Sequence, residues 1–181
     1  MKTAIRKQMV SIHEAVILNI YDLNWINGYT NTFGFGIYHT GVEVYGVEYC
    51  FGGHRWESSG IFEVPPRNEG VLGANVRLRQ SIRIGTTALS EQSVKELIHA
   101  MGTIFTGNRY HLIQNNCNHF SGAFTKLLCG VDIPAWVNRL ARFISNAPFL
   151  QKCIPPDWLT PHDQRPGEQE GSENHTPGPQ Q

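Results

Sequence analysis

Apolar and polar residues follow each other along the first half of the chain in a pattern that predicts β-strands. Residues 15–21 (AVILNIY) are almost continuously apolar, as in a buried strand. Residues 33–53 are rich in aromatic and β-branched residues, which predicts antiparallel strands joined by turns near Gly41 and Gly46. In residues 76–84 apolar side chains alternate with polar ones, so this strand is expected to have one exposed face.

The second half of the chain carries apolar residues at three- and four-residue spacing, which is typical of amphipathic helices. Ser90 is expected to cap a helix that ends near Gly107. A further helix is expected to begin at Asn116 or Cys117 and to close at Gly130. Because the strands precede the helices instead of alternating with them, the pattern predicts an α+β domain.

Composition indicates one folded domain with polar ends. The chain has 181 residues, of which 40% are hydrophobic, and this is enough for one globular core. Residues 160–181 contain no Ala, Val, Ile, Leu, Met, Phe, Trp, Tyr or Cys, so we predict a disordered C-terminal tail there. We expect residues 1–9 to be flexible and residues 10–159 to form the domain.

Charge and cysteine content exclude several classes of protein. Fifteen basic and fifteen acidic residues give a formal net charge of zero, which disfavours a nucleic-acid partner. No apolar run is long enough for a membrane span, and the first residues do not resemble a signal peptide. The four cysteines form no CxxC pair, as expected for free thiols in a reducing compartment. We expect a cytoplasmic protein, with a nuclear pool open to a chain of this size, and predict no oligomeric state.

The segment QNNCNHFS, residues 114–121, contains the strongest candidate for chemistry. It places Cys117 where a polar loop enters a helix, and the positive end of a helix favours a thiolate. Such a thiol is a candidate nucleophile, and His39 in the aromatic strand region is the candidate base. The alternative is structural: Cys117 as a small buried side chain and His39 as an imidazole held by a backbone carbonyl.

His119 is a rival base, and His111 with Cys117 and His119 is a conceivable metal site. Residues two apart on a helix point about 200° away from each other, so His119 and Cys117 do not converge on one atom. The three residues also lack the paired spacing of zinc ligands. We therefore predict no metal.

Four separated motifs, HTGVEVYG, YCFGGH, NNCNHFS and IPAWVNRLA, carry a resemblance to a known family. Residues 15–160 resemble the PPPDE superfamily of permuted papain-fold peptidases, the desumoylating isopeptidases. The motif IPAWVNRLA and the later PPDWLTP are most similar to the second, deubiquitinating type. The resemblance implies a permuted papain-like cysteine peptidase fold, in which antiparallel strands pack with a nucleophile-bearing helix. It also implies a catalytic dyad of His39 and Cys117.

By this resemblance the enzyme would cleave ubiquitin or a ubiquitin-like modifier such as SUMO from target lysines through an acyl-thioester, without a cofactor. The oxyanion is expected to be bound by backbone N–H groups at the start of the Cys117 helix, with Asn115 or Gln114 as a side-chain donor. Trp25 and Trp56 are candidate walls of the cleft for the modifier tail.

Two other functions stay open. NCNHF also resembles the lecithin–retinol acyltransferase group, although Asn118 departs from its acidic residue, so the same dyad would suit a protein S-acyl thioesterase or a lipid acyltransferase-like enzyme. The third reading is a non-catalytic adaptor that binds modified proteins, which intact His39 and Cys117 argue against.

Overall fold

The computed structural model describes residues 13–23 and 36–146, and these contain one sheet with helices packed on it. The strands are β1 Glu14–Leu23, β2 Tyr38–Val44, β3 Val47–Phe51, β4 Ile61–Val64 and β5 Val76–Thr87. The helices are α1 Glu69–Leu72, α2 Glu91–Gly102, α3 Cys117–Cys129 and α4 Arg139–Asn146, with a 3-10 turn over Gly107–Arg109. The predictions for residues 1–9, for residues 160–181 and for Trp25 lie outside the described residues.

The described strands form a fully antiparallel sheet in the order β4-β3-β2-β1-β5. This arrangement confirms the α+β class. The long strands β1 and β5 pair along their whole length, so β1 lies between β2 and β5 and anchors the sheet. Strand β4 and the short helix α1 were not predicted, because each spans only four residues and carries little periodic signal.

The β2–β3 hairpin turns at Tyr45 and Gly46, which have φ angles of 53° and 71°. Two positive φ angles in a two-residue loop match the twist of the flanking strands, so the predicted turn at Gly46 is confirmed. The predicted turn at Gly41 is wrong, because Gly41 lies inside β2 and pairs with Cys50 of β3. A glycine is needed at this position for packing, because a Cβ there would overlap the side chain of Glu48.

The hydrophobic core lies on one face of the sheet, beneath α2 and α3. Alternate side chains of the strands point into it and pack against Phe120 and Phe124 of α3, which lie in one stacked aromatic pair. Ser90 caps helix α2 as predicted, but the helix ends at Gly102 and not near Gly107. Ile104 would lie on the apolar side of a helix that reached Gly107, but beyond this end it is 62% exposed.

The opposite face of the sheet is polar, yet several of its side chains are buried. Glu48 on β3 and Asn19 on β1 have no solvent exposure, because the segment from residue 65 to α1 crosses over them. No helix in the described part of the chain is long and apolar enough to cross a membrane.

Candidate active site

Helix α3 places Cys117 at its first turn. Asn116 is the N-cap, and its side chain accepts a hydrogen bond from the backbone N–H of His119 at 3.0 Å. In the reverse direction, the backbone N–H of Asn116 donates a hydrogen bond to Nδ1 of His119 at 3.2 Å. This capping box fixes the start of the helix, so the Cys117 sulfur lies at the positive end of the helix dipole.

The Cys117 sulfur lies against the edge of β2. Pairing between β2 and β3 begins only at Gly41, so the backbone groups of Tyr38 and Thr40 on that edge are open to α3. The sulfur lies 3.9 Å from the carbonyl oxygen of Tyr38, and the N–H of Thr40 donates to it. The thiol therefore lies beside the part of β2 that is not paired with β3.

His39 and Cys117 form a hydrogen-bonded pair. Burial alone would raise the pKa of the Cys117 thiol, but the charge of His39, its hydrogen bond and the Thr40 N–H lower that pKa below its usual value. Burial alone would lower the pKa of His39, but the charge of Cys117, the hydrogen bond and the charge of Glu48 raise it. Both shifts favour a thiolate and an imidazolium side by side.

Tyr110 contacts Cys117 from a third direction. Its hydroxyl lies 3.9 Å from the Cys117 sulfur, and the backbone N–H of Cys117 points to the same hydroxyl. Burial and the charge of Cys117 raise the pKa of Tyr110 well above its usual value, so the phenol keeps its proton. The site thus holds a neutral O–H donor beside both the sulfur and the N–H of Cys117.

A set of neutral polar side chains joins α3, β2 and the segment before α4, and we call it the amide network. Asn118 donates to the Tyr38 carbonyl at 3.2 Å, and its oxygen lies 2.9 Å from the Thr40 hydroxyl. Asn138 accepts from Asn116 at 3.1 Å and from Asn118 at 3.4 Å. The members are Thr40, Asn116, Asn118, His119, Ser121 and Asn138.

A second set lies on the other face of the sheet, behind His39, and we call it the carboxylate network. It centres on Glu48, which accepts from Asn19 at 2.7 Å and from the Tyr21 hydroxyl at 2.8 and 2.9 Å. The backbone N–H of Arg67 donates to the same carboxylate at 2.8 Å. Tyr21 pairs with His39 across β1 and β2, and their ring centres are 6.1 Å apart.

His39 and Cys117 line the same cleft. Asn116, Asn118, Asn138 and Tyr110 contribute polar atoms to its walls. The rest of the lining is mostly apolar and comes from Leu23, Ile37, Leu112, Ile113, Val137 and Leu140. The cleft therefore combines an apolar wall with hydrogen-bonding groups around the sulfur.

The other predicted site residues lie away from the sulfur. Gln114 is exposed, and the Asn115 side chain donates to the carbonyl oxygen of Arg109 at 2.9 Å. Neither residue is part of the cleft lining around Cys117. Trp56 is 38% exposed and packs with His54 and under Arg55, outside the cleft lining.

Sequence reasoning missed Tyr110, Asn138 and Glu48. Asn138 lies within the motif IPAWVNRLA, where a polar residue among apolar ones was a usable signal. Glu48 and Tyr110 gave no such signal, since each is an ordinary residue of a strand or loop until the fold brings it to the site. Within the described residues, no group of three or more His, Cys, Asp or Glu could hold a metal ion.

The geometry agrees with the comparisons to known proteins. The chain matches the PPPDE putative peptidase domain over residues 14–158. It belongs to this family. It is 47% identical over 161 residues to a protein named desumoylating isopeptidase 1 homolog of Caenorhabditis elegans, covering 89% of this chain and 46% of that protein. It is 42% identical over 128 residues to a DeSI-like protein of Arabidopsis thaliana, covering 70% of this chain and 55% of that protein.

A third relative is the human protein named desumoylating isopeptidase 1, 31% identical over 121 residues that cover 66% of this chain and 67% of that protein. The chain spans about half the length of the first two relatives. The PPPDE match extends from the start of β1 past the end of α4, so it includes His39, Cys117 and both networks.

Proposed function

We propose that this protein is a cysteine isopeptidase that removes ubiquitin or a ubiquitin-like modifier such as SUMO from target lysines. The observation that carries the proposal is the hydrogen-bonded pair of Cys117 and His39 at the first turn of α3, in a cleft open to substrate. Membership of a putative peptidase family and similarity to proteins named desumoylating isopeptidases support it.

The reaction begins with the Cys117 thiolate attacking the carbonyl carbon of the isopeptide bond. His39, as imidazolium, gives its proton to the lysine nitrogen, the C–N bond breaks, and the lysine amine leaves. The modifier stays on the sulfur as a thioester. Neutral His39 then takes a proton from water, the resulting hydroxide attacks the thioester, and Cys117 leaves as thiolate. The net reaction adds one water across the isopeptide bond.

The negative oxygen of each tetrahedral intermediate needs donors close to the sulfur. The backbone N–H of Cys117 is one, because the first N–H groups of a helix have no partner within the helix. The Tyr110 hydroxyl is the second in this proposal, since it contacts both that N–H and the sulfur. Tyr110 therefore takes the part that the sequence had assigned to Asn115 or Gln114.

The compartment and the partners are part of the same proposal. The substrates would be modifier conjugates, reached in the cytoplasm and in a nuclear pool. Cys50, Cys117 and Cys129 are free thiols, which suits a reducing compartment. No cofactor takes part in the steps above, since thiol and imidazole supply nucleophile, acid and base.

The test is covalent capture by modifier probes. We expect the purified protein to form an adduct with ubiquitin or SUMO carrying a C-terminal electrophile, and mass spectrometry to locate the adduct on Cys117. The adduct should be lost in Cys117→Ala and strongly reduced in His39→Ala, with folding retained. Cys129→Ala is the matched control, because that thiol is also free and partly exposed, and it should react as the wild type does.

An adduct that persists in Cys117→Ala would overturn the assignment of Cys117 as the nucleophile, and no adduct with any modifier would favour a binding adaptor.

A second function, S-acyl thioester hydrolysis, is favoured by the apolar wall of the cleft at Ile37, Leu112 and Leu140. A long-chain acyl-thioester probe run in parallel separates the two enzymes, because acylation of Cys117 without any modifier adduct would identify a deacylase.

A further inference from the structure

Glu48 is a buried acid that has no basic side chain as its partner within residues 13–23 and 36–146. It has no solvent exposure, and each of its described contacts is a donor: the Asn19 amide, the Tyr21 hydroxyl, the Arg67 backbone N–H and, at 3.9 Å, the Cys50 thiol. The Asn19 amide N–H and the Arg67 backbone N–H can only donate, and such donors favour the ionised form of a carboxyl group. The Arg67 guanidinium lies on Glu43 instead, at 3.4 Å.

The structure holds this carboxylate in place with unusual local features. Arg67 has a φ of 61° as the third residue of a turn that the hydrogen bond from the Asn68 N–H to the Pro65 carbonyl closes at 3.2 Å. From this turn its backbone N–H donates to Glu48. Gly41 leaves the space into which the Glu48 side chain folds, because a Cβ on residue 41 would overlap it. One backbone position thus donates to the carboxylate and another leaves room for it.

A buried negative charge that meets only neutral donors is costly unless a positive charge is close. His39 is a titratable group on this face that can supply one, whereas the Arg67 guanidinium is paired with Glu43. Its ring packs beside Tyr21, whose hydroxyl contacts both oxygens of Glu48. His39 also lacks any direct hydrogen-bond partner at Nε2 among the described residues, although that atom is buried. A directly bonded third residue behind the imidazole is therefore absent from this part of the structure.

We propose that Glu48 is a positioning residue of the site, whose buried carboxylate, held by Tyr21, balances the charge of the His39 imidazolium from behind. The titratable groups that face His39 are Cys117 from α3, Tyr110 beside it, Tyr21 from β1 and, through Tyr21, Glu48 from β3. Among the described residues, Cys117 and Glu48 are the acidic groups whose charges act on the His39 ring. The role of Glu48 in turnover rests on the proposed function, but its effect on His39 does not.

The test measures the titration of His39 without any substrate. The protein carries Cys117→Ala, so that the thiol does not contribute, and its histidines are labelled with ¹³C for NMR. Adding Glu48→Gln keeps the size of the side chain and removes its charge. We expect the midpoint of the His39 titration to fall by about 0.5 to 1 pH unit, because the imidazolium loses a negative neighbour.

Glu43→Gln is the matched control, since Glu43 lies on the same face and also contacts Asn19, at 3.2 Å, but is paired with Arg67. It should leave the His39 midpoint in place. If Glu48→Gln does not fold, Glu48→Met replaces it, because methionine has a side chain of similar length without a charge, and the same fall is expected. An unchanged His39 midpoint in whichever variant folds would overturn the inference.

In the enzyme with Cys117 intact, Glu48→Gln should move the basic limb of the kcat/KM profile to lower pH, because that limb reports loss of the His39 proton. A uniform loss of activity at every pH, with the limb unmoved, would indicate a merely structural role. Absence of turnover in the wild type would count against the proposed function alone, since the NMR titration stands without it.

Discussion

Two buried polar networks meet at strand β2, and they differ in charge. The amide network around Thr40 and Asn118 is made of carboxamides, hydroxyls and the neutral ring of His119. The carboxylate network behind His39 contains the ionised side chain of Glu48. One network lies at Cys117 and the other lies behind His39.

The difference follows from what each partner needs. A thiolate is stabilised by donors and disturbed by nearby negative charge, so neutral amides can fix the start of α3 without opposing it. An imidazolium needs a negative neighbour, and a buried carboxylate supplies one. On one face of β2 the amide network fixes the position of Cys117, and on the other face the carboxylate network supplies a charge to His39.

Tyr110 belongs to neither network, and its removal gives the largest effect we expect. Tyr110→Phe deletes the hydroxyl beside the sulfur and keeps the ring, whose centre lies 5.1 Å from the centre of the Phe51 ring. Loss of one oxyanion donor typically costs 10²- to 10³-fold in kcat. We therefore expect kcat to fall by about 10²-fold with little change in KM, measured by steady-state cleavage of a modifier conjugate.

Tyr45→Phe is the control for Tyr110, because it removes a comparable hydroxyl, one that donates to the Leu89 carbonyl at 2.6 Å far from the cleft lining. It should leave kcat unchanged. Equal kcat for Tyr110→Phe and the wild type would remove Tyr110 from the oxyanion site.

Placing a charge in the amide network tests whether its neutrality matters. Asn118→Asp adds a carboxylate of the same shape, and the present side-chain oxygen lies 3.9 Å from the Cys117 sulfur. A negative charge at this distance raises the pKa of a thiol by about 1 to 3. We expect alkylation of Cys117 by iodoacetamide at pH 6 to slow by roughly 10- to 100-fold.

Asn118→Ala separates this charge effect from the lost hydrogen bonds, since it removes the contacts to Tyr38 and Thr40 without adding charge. Its alkylation rate should lie much closer to the wild type than that of Asn118→Asp. Equal slowing in the two variants would mean that only geometry, and not neutrality, matters on this side of β2.

The carboxylate network depends on the space at Gly41. An added Cβ would lie 2.7 Å from Cγ of Glu48 and 2.8 Å from the Cys50 sulfur. Such overpacking commonly costs about 1 to 3 kcal/mol in the free energy of unfolding. We expect Gly41→Ala to lower stability by about 2 kcal/mol in urea unfolding.

Gly70→Ala is the matched substitution for Gly41→Ala, because its new Cβ would make only an ordinary contact, 3.5 Å from the Asn68 side chain, on an exposed helical residue. It should be neutral or slightly stabilising, as alanine favours a helix. If Gly41→Ala were equally harmless, the side chain of Glu48 would have room to move, and the network would be less fixed than its contacts suggest.

The two networks also differ in how far the sequence predicts them. Asn116, Cys117 and Gly130 are local signals, since capping and helix closure depend on neighbouring residues, and α3 was predicted at both ends. The carboxylate network is long-range: Glu48 meets Asn19 across 29 positions and Tyr21 across 27. A lone glutamate in a strand suggests a solvated face, and only the segment around Arg67, folding over the sheet, buries it.

Gly41 is a second case in which a local signal misleads, because a turn is predicted where the strand continues. A glycine among aromatic and β-branched residues predicts a turn, but here it provides room for a side chain from the next strand. Likewise, Asn115 and Gln114 were reasonable donors by position, whereas Tyr110 reaches the sulfur only because the loop after the 3-10 turn folds back on α3. Neighbouring residues in the sequence were enough to predict Cys117 and the helix that it begins. The residues that surround Cys117 and His39 depend on tertiary packing, which the sequence pattern does not reveal.

The smallest expected effect concerns the pH dependence of the amide network. Burial and the charge of Arg142 lower the pKa of His119 below its usual 6.5. The folded protein therefore binds this proton less well than the unfolded chain does. The neutral ring contributes stability above about pH 6.5, and this contribution is lost as the pH falls below that value. His119→Gln keeps a residue that suits the third position of a capping box but cannot titrate.

We expect His119→Gln to be close to the wild type in stability at pH 7.5 and to lose less stability than the wild type between pH 7 and pH 5, measured by urea unfolding at each pH. His99→Gln, an exposed substitution on α2, should follow the wild-type curve. A His119→Gln curve that falls as steeply as the wild type would mean that His119 takes up a proton inside the folded amide network. The neutrality that distinguishes this side of β2 would then hold only above the pH at which that proton binds.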